Sequence, residues 1–171
     1  MPTSVESIET KEKAYEQFQN TYDTLRGTGP TYIVGDFNAR LIYPGNSTEE
    51  EVMGKFTMFD NKEEMRRLRE PMLENRELLV QFTLANELRI INSMFKKHIG
   101  KLATYRIDKT TDIEEEILTN EKHAQIDFIL TEHRWRNIII NAETQTRANI
   151  NTDRYPLIFE TRIKLKKVLK G

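Results

Sequence analysis

The amino-acid sequence predicts an α/β protein, and three patterns carry that prediction. Aromatic side chains recur at helical spacing near the amino terminus, and short apolar, β-branched runs follow further along the chain. The segment 157–166 then alternates between apolar and polar residues, as a half-exposed strand does. The length of 171 residues favours one domain, residues 1–171, and is enough to build a hydrophobic core.

The first predicted element is an amphipathic helix. Thr3 and Glu6 have the spacing of a capping box, and Gly27 is a stop signal. The residues that share the apolar face are Tyr15, Phe18, Tyr22 and Leu25. A turn at 27–30 then leads into a buried strand at Tyr32–Val34. A helix that precedes a strand in this way is typical of α/β folds.

The remaining chain predicts shorter elements. Residues 40–69 read as a long loop with a helical turn over 62–68, and Asn75 is a candidate cap for a second long helix. Further strands are expected at 88–92, at 102–106, at 125–130, from 138 and at 157–166. Trp135 is expected to anchor a short turn. The acidic segment 112–121 is expected to form an exposed connection.

Composition narrows the compartment and the class of partner. The net charge is −1, whereas a dedicated nucleic-acid binder is usually more basic. The basic groups at 66–69 and 164–170 are interpreted as solvated faces, and the alternative is a track for phosphates. The absence of cysteine excludes disulfides and thiolate metal sites. Without an apolar span or a signal peptide, the chain is expected to be intracellular, nuclear or cytoplasmic, with no membrane contact.

An acid and an amide follow the first predicted strand. Asp36 and Asn38 lie two residues apart, so in extended backbone they would point to one side. Gly35 would let the backbone turn or approach a ligand closely. A carboxylate here can hold a hard divalent cation, and an amide beside it can orient a phosphate oxygen. The alternative is an ordinary polar turn after a strand.

Two further acids accompany predicted strands. Asp127 interrupts an apolar strand, where a carboxylate is costly unless it is paired, so it could simply serve a backbone or arginine partner. Asp153 precedes the last strand and could be a turn or cap residue. Carboxylates gathered at one rim repel each other unless a cation joins them. With Asp36, these acids predict a Mg²⁺ site at one end of the sheet system.

Taken in order, these motifs resemble the endonuclease/exonuclease/phosphatase family. The motifs are 35–39, 126–130, Arg134-Trp135 and Thr152-Asp153. Within the family, the chain resembles the apurinic/apyrimidinic-type endonuclease domain of non-LTR retrotransposons and the craniofacial-development-protein-like endonucleases. Segments 75–97 and 104–106 are similar to the same subgroup. The resemblance covers nearly the whole chain.

The resemblance implies a four-layer α/β sandwich of two packed mixed β-sheets flanked by helices, of which this chain would form the C-terminal part. It implies a DNA endonuclease that hydrolyses phosphodiester bonds with Mg²⁺ or Mn²⁺. Asp36 would align the attacking water or a metal, and Asn38 would hold the scissile phosphate. Thr104 would lie near the substrate phosphate. Asp153 would serve the metal side of the site, and Asp127 would orient a catalytic histidine.

The chain departs from the family pattern at that histidine. Arg154 follows Asp153 where the family has histidine. Arginine cannot transfer a proton at neutral pH, although it can form a fork with Asp127 and attract a substrate phosphate. The loss of a general acid or base costs roughly 10²–10⁴ in rate. His123 would lie about 13 Å from Asp127 along an extended strand, which is too far to substitute directly.

The second departure is at the amino terminus. The family's first part supplies much of one sheet and a metal-binding glutamate, whereas one helix and a turn precede Tyr32 here. The domain is therefore expected to be N-terminally truncated, with an apolar face left uncovered that favours self-association. The glutamates of the first helix are expected to be solvated; they are Glu6, Glu9, Glu12 and Glu16.

Three functional hypotheses follow. The first is a metal-dependent DNA endonuclease of retrotransposon origin, impaired in this chain. The second is a non-catalytic relic that binds nucleic acid or a protein. The third is a structural fragment without a selected role.

Overall fold

The computed structural model describes residues 1–58, 70–107, 122–148 and 151–163. Its α-helices are α1 (Ile8–Leu25), α2 (Ser47–Glu50) and α3 (Glu70–Ala85). Its strands are β1 (Tyr32–Asp36), β2 (Leu88–Ile90), β3 (Tyr105–Arg106), β4 (His123–Ala124), β5 (Asp127–Glu132), β6 (Ile139–Thr144) and β7 (Leu157–Thr161). Short 3₁₀ helices occupy Ile91–Ser93, Ile99–Lys101 and His133–Ile138. The mixture of helices and antiparallel sheets confirms the predicted α/β class.

The central sheet has the strand order β1-β5-β2, and both of its pairings are antiparallel. Its register places Tyr32 opposite Thr131 at one end and Asp36 opposite Asp127 at the other. Two smaller antiparallel sheets, β3-β4 and β6-β7, complete the described part. The first strand was predicted to be buried, but it is an edge strand in which Val34 is 51% exposed and no residue is fully buried. Its last residue is an acid.

Helices and strands cover opposite faces of β5. Phe128 and Leu130 belong to a core cluster built with α1 and α3, in which the rings of Phe18 and Phe82 stack with centroids 4.6 Å apart. Ile129 points the other way, into a cluster with Ile139 of β6. This alternation follows from the two-residue period of a strand. It produces a helix layer, a sheet and the β6-β7 hairpin in that order.

The first helix confirms the predicted aromatic face, because Tyr15, Phe18 and Tyr22 pack into the core. Leu25 was predicted on the same face but is 71% exposed, and the helix starts later than predicted. Ser7 is the N-cap, and its hydroxyl oxygen accepts a hydrogen bond from the backbone N–H of Thr10 at 3.3 Å. The predicted capping box is instead a turn in which the N–H of Glu6 donates to the carbonyl of Thr3. Ser7 satisfies the first helical N–H groups, so the Thr3 side chain is not needed as a cap.

The second long helix begins earlier than predicted. It is described from Glu70, so Asn75 lies inside it and is 3% exposed. The Asn75 amide donates to the carbonyls of Pro2 and Asn38, at 3.2 and 2.9 Å. Asn75 was predicted to be a cap, but it connects α3 to the amino-terminal segment and to the loop after β1 through hydrogen bonds.

Strand boundaries also differ from expectation. The predicted strand 88–92 ends at Ile90, where a 3₁₀ turn begins, and only Tyr105 and Arg106 of segment 102–106 pair as strand. The strand predicted at 125–130 lies at 127–132, and Gln125 instead accepts a hydrogen bond from the N–H of Met58 through its side-chain oxygen. The alternation in the last strand is confirmed from Leu157 to Glu160, with Phe159 packed inward and Ile158 43% exposed, whereas Thr161 is exposed.

Glycine is required at Gly54 rather than at Gly35. A Cβ added at Gly54 would lie 2.2 Å from the carbonyl oxygen of Ser93, so only glycine permits this backbone approach. At Gly35, a Cβ would meet nothing within 4 Å, and φ is not positive. The expectation that Gly35 provides a turn is therefore wrong for the backbone of the described chain.

Some predictions fall outside the described residues: the helical turn at 62–68, the basic groups at 66–69 and 164–170, and the acidic connection at 112–121. The glutamates of the amino-terminal region, Glu6, Glu9, Glu12 and Glu16, are exposed as expected. In the ranges that the structure describes, none of the helices has the length and apolar character needed to cross a membrane.

Candidate functional site

Two acids face each other at one end of the central sheet. Asp36 is the last residue of β1, Asp127 is the first residue of β5, and the two are directly paired across the strands. Their side chains are 27% and 20% exposed. Like charges directly opposite on neighbouring strands destabilise a sheet. The pair therefore requires a proton or a cation between the two carboxylates.

Arg154 supplies that cation. Its Nη2 atom donates to Oδ2 of Asp36 at 2.5 Å, and its Nη1 atom donates to Oδ2 of Asp127 at 3.0 Å. The guanidinium carbon lies 4.7 Å from the centre of the Tyr105 ring, and an isolated antiparallel bridge joins the two residues' backbones. We call Asp36, Arg154 and Asp127 the bridged triad. Arginine is suited to this role because its donors are fixed in a planar fork.

Thr104 positions the backbone of Asp127 by a hydrogen bond. Its side chain is fully buried, and its hydroxyl oxygen accepts hydrogen bonds from the N–H groups of Ile126 and Asp127, at 3.0 and 3.1 Å. Asn92 supports the same strand by donating to the Asp127 carbonyl at 3.1 Å and accepting from the N–H of Ile129 at 3.2 Å. The described role of Thr104 is therefore to position β5, and its proximity to a substrate phosphate stays a prediction.

The protonation of the triad follows from its burial and charges. Burial raises the pKa of Asp127, and the negative charge of Asp36 raises it further. Hydrogen bonds from Thr104 and the charge of Arg154 act in the opposite direction without cancelling the rise. For Arg154, burial would lower the pKa, but the attraction of Asp127 and Asp36 outweighs it, so the pKa is raised. The guanidinium thus stays charged and cannot act as an acid or a base.

Asn38 does not share the side of the strand that its spacing predicted. It has φ of 51°, so the backbone leaves the extended conformation immediately after β1. Its N–H donates to Oδ1 of Asp36 at 2.7 Å, while its side-chain amide donates to the carbonyl of Met1 at 2.8 Å. The amino group of Met1 donates in turn to the Asp36 carbonyl at 3.1 Å. Asparagine is one of the few residues other than glycine that adopt the left-handed conformation routinely.

Asp153 lies beside the triad along the chain. Its carbonyl accepts from the N–H of Arg106 at 2.8 Å, and its Oδ1 atom accepts from the Thr152 hydroxyl at 3.4 Å. The Thr152 hydroxyl also accepts from the N–H of Arg154 at 3.2 Å. These contacts shape the turn that delivers Arg154 to the two acids. The expected role of Asp153 on the metal side of a site stays a prediction.

The three histidines are tied into other parts of the fold. The ring of His123 is fully buried and stacks on Tyr155, with centroids 6.2 Å apart. Nδ1 of His133 accepts from Nε of Arg89 at 3.0 Å. Nδ1 of His98 accepts from the N–H of Gly100 in a 3₁₀ turn. Each ring therefore has a structural contact of its own, and Arg154 stands where the resemblance expects the catalytic histidine.

The site does not fit a divalent metal in its present arrangement. Mg²⁺ requires open oxygen ligands, commonly one or two carboxylates with several waters. Oδ2 of Asp36 and Oδ2 of Asp127 accept from Arg154, and Oδ1 of Asp36 accepts from Asn38. Within the described residues, no group of three or more acidic or histidine side chains could hold a metal ion. A positive group already fills the space between the acids.

Sequence reasoning identified the three triad residues but missed two that organise them, Tyr105 and Asn92. Asn92 could have been noticed as the polar residue that follows the apolar pair Ile90 and Ile91. Tyr105 carried no such signal, because its role depends on Arg154 being brought across the fold to its ring. The bridge from Arg154 to both acids could not be predicted without knowing which strands pair.

The fold has counterparts among known proteins, although no protein-family model matches the chain. The chain is 26% identical over 156 residues to craniofacial development protein 2 of Bos taurus, and equally so to that of Tragulus javanicus. Each match covers 91% of this chain but only 22% and 23% of those proteins, so the chain spans less than a quarter of their length.

A solved structure gives the same indication. The chain is similar to the endonuclease domain of TRAS1, a telomere-specific non-LTR retrotransposon, with a TM-score of 0.53 and 13% sequence identity. The match covers 96% of this chain and 56% of that domain. With the craniofacial development proteins, this match shows an endonuclease/exonuclease/phosphatase-like fold for this chain.

Proposed function

We propose that this chain is a divalent-metal-dependent DNA endonuclease domain of retrotransposon origin whose phosphodiester hydrolysis is impaired. The observation that carries the proposal is the bridged triad, in which Arg154 is bound to Asp36 and Asp127. The fold supports a nuclease-like origin, and the position of the two acids at a strand end agrees with it. DNA is the substrate class, by similarity to the retrotransposon endonuclease domain.

The impairment has a chemical basis. Arg154 cannot take or give a proton at neutral pH, and losing a general acid or base costs roughly 10²–10⁴ in rate. The same guanidinium engages both carboxylates, so neither is available to align a water or a metal. The triad carries two negative charges and one positive charge, which weakens attraction for a phosphate. Hydrolysis is therefore expected to be slow even when DNA is bound.

Residual substrate contact is assigned to the exposed side of the triad. Of the residues proposed to touch phosphate, Arg154 has a side chain that is 37% exposed, whereas Thr104 is fully buried. Asn38 is partly exposed, and its amide already donates to Met1. We therefore assign the phosphate contact mainly to Arg154, and the contact of Asn38 with a phosphate stays a prediction.

Incubation of the chain with abasic-site DNA and supercoiled plasmid, in Mg²⁺ and separately in Mn²⁺, tests this proposal. The native chain should not cleave above background, and Arg154→His should cleave measurably because it restores a proton-transferring group. Arg134→His is the matched control and should leave the result unchanged. Native cleavage that disappears in Asp36→Ala would contradict the impairment. Absence of cleavage in Arg154→His, together with no DNA affinity at low salt, would contradict the nuclease assignment.

A second candidate function is binding without turnover, and exposed apolar side chains favour it. Val34, Ile140 and Ile158 lie on strands yet are 51%, 45% and 43% exposed. Apolar groups left on a sheet surface are typical of protein contacts, including self-association. Sedimentation velocity across a concentration series should detect association that Val34→Lys and Ile158→Lys reduce. A monomer at all concentrations would exclude self-association.

A further inference from the structure

Arg89 and His133 meet at the end of the central sheet that lies opposite the bridged triad. Nε of Arg89, on β2, donates a hydrogen bond at 3.0 Å to Nδ1 of His133, the first residue of the 3₁₀ helix after β5. We propose that this hydrogen bond is a pH-sensitive latch, which is closed while the imidazole is neutral and opens when the ring takes up a proton. The latch is independent of the nuclease assignment, because it involves none of the triad residues.

The chemistry of the two side chains determines where the imidazole proton lies. A guanidinium has five N–H donors and no acceptor, and it stays charged in proteins. Nδ1 of His133 must therefore be the unprotonated ring nitrogen, and the single proton of the neutral ring lies on Nε2. A second proton, on Nδ1, would point a donor at the Arg89 donor and place two positive charges side by side. Protonation of the ring and the hydrogen bond thus exclude each other.

The charged groups around the ring favour its neutral form. Burial lowers the pKa of His133, and the positive charges of Arg89 and of Arg136, on the same 3₁₀ helix, lower it further. Glu87, in the turn before β2, and Glu51, after α2, raise the pKa without cancelling this effect. The latch is therefore closed at neutral pH and opens on acidification. A protonated ring would be attracted to these two carboxylates instead of Arg89.

Other charged groups at this end of the sheet are paired with each other. Arg26 lies 3.6 Å from Asp23, and Arg134 lies 2.7 Å from Glu132. Arg26, Glu132 and Arg134 line the wall of a cavity of about 500 Å³, and His133 is part of the same wall. Opening the latch would therefore add one positive charge to this wall.

Protonation is expected to change the ring contact alone. The backbone N–H of His133 donates to the carbonyl of Glu87 at 2.8 Å, and the His133 carbonyl accepts from Nη1 of Arg136 at 3.0 Å. Neither contact uses an imidazole nitrogen, so both survive a change in the charge of the ring. The device is therefore local, because acidification disconnects the Arg89 side chain while the backbone of the turn stays in place.

Nitrogen-15 NMR of the imidazole rings, followed from about pH 8 to about pH 5, tests the latch in the native chain. At the alkaline end, Nδ1 of His133 should be unprotonated and Nε2 protonated. The ring should titrate below its ordinary value of 6.5, and the Nε–H of Arg89 should lose its protection from solvent exchange over the same range. In Arg89→Ala the titration should move upward. Arg147→Ala removes an exposed arginine from the turn after β6 and should leave the titration unchanged.

A stability measurement keeps the test decisive if Arg89→Ala does not fold. His133→Gln keeps a side-chain acceptor for Arg89 but takes up no proton. Because the folded-state pKa of His133 is lowered, the stability that the latch contributes is fully present above 6.5 and is lost as the pH falls through the folded-state value. In urea unfolding, the advantage of the native chain over His133→Gln should therefore shrink as the pH falls.

Three results would each overturn the proposal. The first is a proton on Nδ1 of His133 at the alkaline end of the titration. The second is a native ring that titrates at or above 6.5. The third is a constant difference in stability between the native chain and His133→Gln across the whole pH range.

Discussion

The two ends of the β1-β5 ladder each carry an arginine beside a carboxylate and an aromatic ring, yet they differ in how these groups are held. At one end, Arg134 donates to a single acid, Glu132, at 2.7 Å and lies over Trp135 at 5.5 Å. At the other end, Arg154 bridges Asp36 and Asp127. The Arg134 side chain is 56% exposed, whereas that of Arg154 is 37% exposed.

The surroundings explain why similar groups have different consequences. Glu132 and Arg134 line a cavity of about 500 Å³ at the ends of α1 and α3, so water reaches their ion pair. The Glu132 side chain is 12% exposed, but the Arg134 side chain is 56% exposed, and ion pairs that water screens contribute about 0–1 kcal/mol. At the triad, two acids compete for one cation, and buried hydrogen bonds fix one of them in place. The same residue types thus form a surface contact at one end and a structural centre at the other.

The largest expected effect is a difference in stability between variants of two threonines, Thr104 near the triad and Thr131 near the other end of the ladder. Thr104→Val removes the acceptor of two backbone N–H groups and should lower the free energy of unfolding by about 2–4 kcal/mol. Thr131→Val removes one donor to the Thr31 carbonyl and should cost about 1 kcal/mol. Urea unfolding measures both values. Thr104→Ser is the control, and equal losses in the two valine variants would show that Thr104 has no special supporting role.

The next effect compares the two arginines directly. Arg154→Ala leaves two partly buried acids opposed, so it should cost about 1–2 kcal/mol after allowance for solvent screening. Arg134→Ala should cost less than about 1 kcal/mol, since the Arg134 side chain is 56% exposed and one acid, not two, loses its partner. Both variants can be measured by chemical denaturation in the same low-salt buffer. A loss in Arg134→Ala that matches or exceeds that in Arg154→Ala would contradict the distinction between the ends.

The smallest expected effect is the pH dependence of the stability that Asp127 contributes. Because the pKa of Asp127 is raised, its stabilising contribution is fully present below its ordinary value of 3.8 and is lost as the pH rises through the folded-state value. Glu49 is the contrast: burial alone would raise its pKa, but hydrogen bonds from Arg76 and Gly45 lower it. Its contribution is present above its ordinary value of 4.5 and is lost on acidification.

This contrast is measured as stability against pH, from roughly pH 3 to pH 6, for the native chain, Asp127→Asn and Glu49→Gln. The advantage of the native chain over Asp127→Asn should shrink as the pH rises. Its advantage over Glu49→Gln should shrink as the pH falls. Parallel curves for the two variants would show that the triad does not perturb Asp127.

Much of the fold could be predicted because it depends on local periodicity. The aromatic face of α1 and the alternation around Phe159 are patterns within one segment, and both are confirmed. Element starts were less predictable, because Ser7 competes with Thr3 for the same cap. Asn75 was misread as a cap because its tertiary partners, Pro2 and Asn38, lie far away in the sequence.

In the candidate site, too, some features could be predicted from the sequence and others could not. Asp36 could be identified from its position after a strand, and Arg154 from the family pattern. Asp127 was recognised as an acid interrupting an apolar strand, although it is the first residue of β5. The direction of the Asn38 side chain could not, because one residue with positive φ ends the two-residue period. The simultaneous bridge to both acids was also beyond the sequence, since only the pairing of β1 with β5 brings Asp36 to Asp127.

The most direct test of the bridged triad is a pair of double-mutant cycles. One cycle combines Asp127→Ala with Arg154→Ala, and the other combines Glu132→Ala with Arg134→Ala. We predict a coupling energy above about 1 kcal/mol for the first cycle and below about 0.5 kcal/mol for the second. Coupling that is negligible in the first cycle, or equal in the two, would contradict the claim that Arg154 is the structural cation of this site.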